Sequence, residues 1–132
     1  MRPQLNHTIV NVRSKVESAD FIAELLGFDD PFDFMVFRCI ETGNGATLDF
    51  VDAGDFDFQP QHYAFLVTEA QFDEIFDKIV GRGIEHWADP GLQRVTEIND
   101  YDGGRGVYFC EPSGHLLEII TRSYGTGPRP RS

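Results

Sequence analysis

One module is written twice along this chain: a strand-like run, then a helix-like run, then a closing group of strands. A sequence that repeats such a unit is constrained to fold as two similar halves. In the first half, Leu5-Asn6-His7-Thr8-Ile9-Val10 precedes a helix-like stretch from Val16 to Leu26 that ends at Gly27. In the second, His62-Tyr63-Ala64-Phe65-Leu66-Val67 precedes another from Glu69 to Val80, closed by Gly81-Arg82-Gly83. Gly45-Ala46-Thr47-Leu48-Asp49-Phe50-Val51 lies over Gly114-His115-Leu116-Leu117-Glu118-Ile119-Ile120, and Cys39 falls near Cys110. In this register His7 is the counterpart of His62, and Asp49 of Glu118. The second half is longer, and its extra residues fit the polar stretch around Asn99 to Gly106.

Local signals place the elements. The first strand is predicted over about Leu5 to Val12. Ser14-Lys15-Val16-Glu17 reads as a capping box leading into a helix with Phe21, Ile22, Leu25 and Leu26 on one face. Strands are predicted near Phe34 to Glu41 and Ala46 to Asp52, parted by Thr42-Gly43-Asn44-Gly45. Thr68-Glu69-Ala70-Gln71 is a second capping box, and Phe72, Ile75, Phe76, Ile79 and Val80 form a core-facing stripe. Further strands are predicted near Ile84 to Ala88, Gln93 to Ile98, Gly106 to Glu111 and His115 to Arg122. The modules are expected at 1–55 and 60–122, together one compact domain, with a poorly ordered Gly/Pro/Arg-rich tail over 123–132.

Strand parity singles out a possible set of metal ligands. Side chains alternate faces along a strand, so His62 shares a face with Ala64 and Leu66, while Tyr63, Phe65 and Val67 look the other way. The bulky set suits the Phe-rich helix, which leaves His62 on the open face. The same alternation sets Glu118 opposite Leu117 and Ile119, and His7 opposite Thr8 and Val10. Two imidazoles and one carboxylate on rigid strands are a donor set for a divalent ion that keeps positions open for substrate. His115 points away from Glu118 and reads as a surface or packing residue. His86 reads as a support behind the ligands or, preferably, as a cap for a polar strand edge.

Composition removes several function classes. The net charge of −11 over 132 residues repels nucleic-acid phosphates. No apolar run reaches the roughly 18 residues of a membrane span, and Met1-Arg2-Pro3-Gln4 opens no signal-peptide core, so a cytoplasmic protein without membrane contact is expected. Two cysteines are too few for a disulfide framework, and both read as reduced packing residues.

The pattern resembles the vicinal oxygen chelate superfamily, which includes glyoxalases, fosfomycin-resistance thiol transferases, bleomycin-binding proteins and extradiol dioxygenases. The resemblance runs from Leu5 to Thr121. It rests on Leu5-Asn6-His7, Leu25-Leu26-Gly27-Phe28, His62-Tyr63-Ala64-Phe65 and the stretch from Val107 to Glu118. It implies an α+β fold of two tandem βαβββ modules forming a U-shaped cleft around one divalent metal, often in a homodimer whose cleft combines modules from two chains. The implied ligands are His7, His62 and Glu118. Asp49 fills the position of a fourth ligand in glyoxalase-type members; being a methylene shorter, it is either a ligand, a water-bridged neighbour or a lining residue.

Among the chemistries of that superfamily, Val107-Tyr108, Glu111-Pro112, Gly114 and Glu118 are similar to the second half of the extradiol dioxygenase signature. There the tyrosine helps bind a catecholic substrate, a role Tyr108 would take, or it packs the sheet. The histidine expected upstream is replaced by Asn99, Asp100 or Tyr101, and Asp100 is the candidate acid or base. A small chelating substrate, a homodimer and Fe(II) are the favoured expectation, with Mn, Ni or Zn for the other branches. The alternatives are a glyoxalase-type lyase or isomerase, with Glu118 or Asp49 as base, a fosfomycin-type thiol transferase, and a bleomycin-resistance-like binding protein. The first two take anionic ligands, for which Arg13, Arg38 and Arg105 are the candidate partners.

Overall fold

A computed structural model of the chain, described for residues 1–125, builds two units, 1–59 and the residues from Pro60 onward. In the first unit, β1 (His7–Val12) leads to α1 (Lys15–Leu26), then β2 (Phe32–Phe34), β3 (Phe37–Glu41) and β4 (Thr47–Asp52). In the second, β5 (His62–Leu66) leads to α2 (Glu69–Gly81), then β6 (His86–Trp87), β7 (Gly106–Cys110) and β8 (Leu116–Ile120). The sheet orders are β1-β4-β3-β2 and β5-β8-β7-β6, so each unit is the same βαβββ module and the fold is α+β.

Both helices begin where their caps dictate. The Ser14 hydroxyl accepts from the Glu17 N–H at 3.2 Å, and α1 ends at Gly27 (φ +78°), whose N–H reaches the Ala23 carbonyl. At α2 the box is complete: Thr68 accepts from the Gln71 N–H, and the Gln71 side chain accepts from the Thr68 N–H. Phe72, Ile75 and Ile79 are buried, each such side chain contributing roughly 1.5–3 kcal/mol, whereas Val80, expected in the same stripe, is exposed because it lies one residue beyond the buried Ile79 and turns off that face. Phe76 meets His86 edge-on, so His86 packs beneath the helix rather than capping a polar strand edge.

Three sequence expectations change in the structure. The single strand expected over Phe34 to Glu41 is a hairpin, β2 and β3, turned by Met35 and Val36 with Met35 at φ +54°. An apolar run without Gly or Asn gives no turn signal, and the pairing of Phe34 with Phe37 forces the bend. The strand expected over Gln93 to Ile98 is a folded loop carrying one isolated bridge, Trp87 to Val95. The Asp89 carboxylate accepts from the N–H groups of Gln93 and Arg94, and Leu92 and Thr96 take positive φ, which breaks extended pairing. The strand expected over Ile84 to Ala88 is correspondingly short. The added length of the second module is therefore the whole loop between β6 and β7, anchored by buried Asn99, whose amide donates to the Ala88 carbonyl.

Register also corrects one internal alignment. Cys39 pairs with Asp49, whereas Glu118 pairs with Tyr108. The structural counterpart of Cys39 is Tyr108, and Cys110, which pairs with Leu116, corresponds to Glu41, which pairs with Thr47. Among the described residues no helix is long and apolar enough to cross a membrane.

Candidate metal centre

In the second unit, β5 and β8 run parallel with His62 beside Leu116 and Ala64 beside Glu118. Partners across a ladder share a face, so His62 and Glu118 lie on one side of the sheet, on a short diagonal. His62 Nε2 lies 3.1 Å from Glu118 Oε1, and Nδ1 lies 3.1 Å from the Leu116 carbonyl oxygen. A carbonyl only accepts, so Nδ1 carries a proton. The 3.1 Å contact at Nε2 then holds either a second ring proton donated to the carboxylate or a cation bound by both groups.

The same logic holds at the first histidine. His7 Nδ1 lies 2.7 Å from Asn6 Oδ1, which makes Nδ1 the donor and leaves Nε2 free in tautomer for a ligand role. His7 is exposed and faces the same side of its sheet as Asp49, because Ile9 pairs with Asp49 and His7 with Thr47. His7 and Asp49 thus hold the register positions of His62 and Glu118, as the repeat predicts. Asp49 is 8 % exposed and hydrogen-bonds Cys39 rather than His7; burial first, and this neighbour second, push the Cys39 thiol up to about 11.

Around Glu118 the second unit gathers two phenols. Its side chain is 0 % exposed. The Tyr124 hydroxyl lies 2.8 Å from both Oε1 and Oε2, and the Tyr108 hydroxyl lies 3.1 Å from that of Tyr124. Tyr108 itself stacks on His62, with ring centroids 5.7 Å apart and planes 28° apart. Burial, then the hydrogen bond to Tyr124 and that to Glu118, push the Tyr108 phenol well above its ordinary range, so it stays protonated as a donor. Burial likewise raises Cys110, which keeps this thiol protonated and inert.

The structure thus brings His62, Glu118 and Tyr108 together, and it adds Tyr124. Asp100 stands apart: it is exposed at the start of the Tyr101–Gly103 turn and makes no side-chain contact with this cluster. His115 is buried, with Nδ1 accepting from the Gln61 N–H, and is a packing residue. Among the described residues no group of three or more His, Cys, Asp or Glu gathers around one point.

The donor chemistry at His62 and Glu118 fits a divalent ion. Bonds of about 2.0–2.2 Å from nitrogen and oxygen put two adjacent ligands about 3 Å apart, and the observed separation is 3.1 Å. The peptide carbonyl behind Nδ1 is the outer partner that orients an imidazole for Nε2 ligation.

The chain is 51 % identical to the solved structure of Oxidase ChaP-H1, with a TM-score of 0.91 over 94 % of this chain and 99 % of that one. The chain belongs to the vicinal oxygen chelate superfamily. Oxidase ChaP-H2 is similar to the same extent: 49 % identity and a TM-score of 0.92, over 97 % of this chain and all of that one. A segment of 60 residues is 35 % identical to the metallothiol transferase FosB of Shouchella clausii (strain KSM-K16), covering 46 % of this chain and 37 % of that protein. The chain thus spans well under two thirds of that curated relative. No protein-family profile matches the chain.

Within this superfamily member, Tyr124 is the site residue that sequence reasoning missed. It is the second residue of the stretch 123–132 that composition assigns to a tail, and of that stretch 126–132 lie outside the described residues. The available signal was an aromatic residue a few positions beyond Glu118, ahead of the Gly/Pro run.

Proposed function

We propose that this protein is a divalent-metal-dependent enzyme that uses oxygen to cleave a small chelating aromatic substrate, a catechol or similar diol, in extradiol fashion. The observation that carries the metal is the His62–Glu118 pair, an imidazole nitrogen and a carboxylate oxygen held 3.1 Å apart with the ring oriented by a peptide carbonyl at Nδ1. Kinship to the oxidases ChaP-H1 and ChaP-H2 supports the oxygen branch. His62 and Glu118 supply two donors, and His7, with its Nδ1 proton held by Asn6, supplies the third from the second copy in a homodimer. Asp49, a methylene shorter and turned to Cys39, is a lining residue in this reading.

When bound, the ion supplies Lewis-acid activation of a chelating substrate and, as Fe(II), electron transfer with oxygen. The remaining roles fall to the chain. Tyr108, kept protonated and stacked on His62, offers its phenol oxygen to accept from a substrate hydroxyl. The buried setting of Glu118 keeps competing water away from its carboxylate. Extradiol cleavage places both oxygen atoms in the ring-opened product, so it needs no separate reductant.

Thiol transfer is the second reading, favoured by the FosB segment. It ranks lower because the candidate anion partners are committed elsewhere. Arg105 pairs with Glu69 at 2.8 Å and Asp73 at 2.9 Å and lies over Phe72. Arg38 pairs with Asp20 and Asp33, and Arg13 donates to the carbonyls of Gly54 and Phe56.

Oxygen uptake by Fe(II)-loaded protein with a panel of catechols tests the proposal. Uptake is expected in the wild type and lost in Glu118→Gln. Absence of uptake, with Ni- or Mn-loaded protein instead turning over a hemithioacetal or transferring a thiol, overturns it.

A further inference from the structure

The Tyr124 phenol is the one group in the metal cluster that the proposed reaction does not yet use. Its oxygen is 2.8 Å from Oε1 and 2.8 Å from Oε2 of Glu118. Equal distances put it midway in front of the two carboxylate oxygens, where an ion bound to both would sit. The single phenol proton is shared with the carboxylate, so in the 3.1 Å contact between the phenols Tyr108 donates and Tyr124 accepts. The order of donation is therefore Tyr108 to Tyr124 to Glu118. His62 approaches from another side and meets Oε1 alone.

We propose that Tyr124 is a positioning residue: it occupies the chelating side of the Glu118 carboxylate and confines the metal to the single oxygen beside His62. The proposal rests on the metal reading above. Its consequence is a more open centre, because each oxygen that Glu118 withholds is a position left for a substrate that chelates through two oxygens. The short turn after β8 thus belongs to the metal centre. Tyr124 is exposed as a residue, yet its hydroxyl is the part committed inward. A residue kept only to pack the chain end would need the ring and not the hydroxyl.

The test uses the full-length protein, Co(II) as the probe, and the variants Tyr124→Phe and Tyr124→Ala. Visible absorption of Co(II) weakens as coordination number rises, so it reports whether the second oxygen joins the metal. The expected result is a weaker visible band in Tyr124→Phe than in wild type. Co(II) affinity should fall about tenfold, the size expected when an outer hydrogen bond to a ligand is removed. Tyr124→Ala should match Tyr124→Phe. If Tyr124→Phe keeps the wild-type band and affinity, while only Tyr124→Ala changes, the role is packing and the proposal is overturned. If wild-type protein takes up no Co(II), the metal reading fails and carries this proposal with it.

Discussion

The two modules share a fold and a register but not a carboxylate environment. In the second, the row across the sheet reads Ala64, Glu118, Tyr108, Trp87; in the first it reads Ile9, Asp49, Cys39, Phe32. Both rows place a carboxylate diagonally from a histidine. Among the described residues, only Glu118 reaches its histidine, because the extra methylene spans the diagonal, and only Glu118 is held by a phenol. Asp49 finds its nearest neighbour in a thiol instead. The repeat thus supplies a scaffold position twice, and side-chain length with one neighbouring residue decides which copy reaches its histidine.

Shortening the carboxylate should break the difference most strongly. Glu118→Asp gives the second sheet the reach of the first, and metal affinity is expected to fall by about 100-fold, the upper range for disturbing ligand orientation. Asp49→Glu, the reverse change, should alter affinity by less than about threefold, well below that range, if Asp49 only lines the site. Isothermal titration with Co(II) on both variants compares them, and equal losses would make the two carboxylates equivalent.

The long loop of the second module offers a stability test. A Cβ on Gly106 would lie 2.8 Å from Asn99 Oδ1, and Asn99 is pinned by its bonds to Ala88 and Tyr101. Gly106→Ala is expected to cost about 1–3 kcal/mol through overpacking. Phe37, at the start of the matching strand of the first module, already carries a side chain and meets no such loop. Urea denaturation should show the loss. A change within error would mean that the loop yields freely.

Helix caps give the smallest effect. Thr68→Ala removes half of a reciprocal box, whereas Ser14→Ala removes one cap bond. Losses of about 1–2 and about 0.5–1 kcal/mol are expected, in that order. Thermal unfolding checks the ranking, and a reversed order would show that the Ser14 bond supports more than its helix.

Much of this was legible in the residues. Alternation along β5 placed His62 on the open face with Ala64 and Leu66, and the observed exposure follows that alternation. Ser14, Gly27 and Thr68 bounded the helices because capping is a local interaction between residues three or four apart. The repeat put His7 over His62 and Asp49 over Glu118, and the ladders keep that correspondence. Features set by long-range pairing were not legible. Met35 turns a hairpin without a turn residue because Phe34 and Phe37 pair. Asp89 folds a polar loop where a strand was expected over Gln93 to Ile98.

The sequence by itself determined two copies of one module, their helices, and the faces on which two histidines and two carboxylates lie, since period and capping act within a few residues. Only the tertiary structure decided that Cys39 answers to Tyr108, that Glu118 reaches His62 while Asp49 does not reach His7, and that Tyr124 closes over the carboxylate. Those outcomes depend on ångström distances between side chains of different strands and on where the chain passes after β8. Composition carries no record of either.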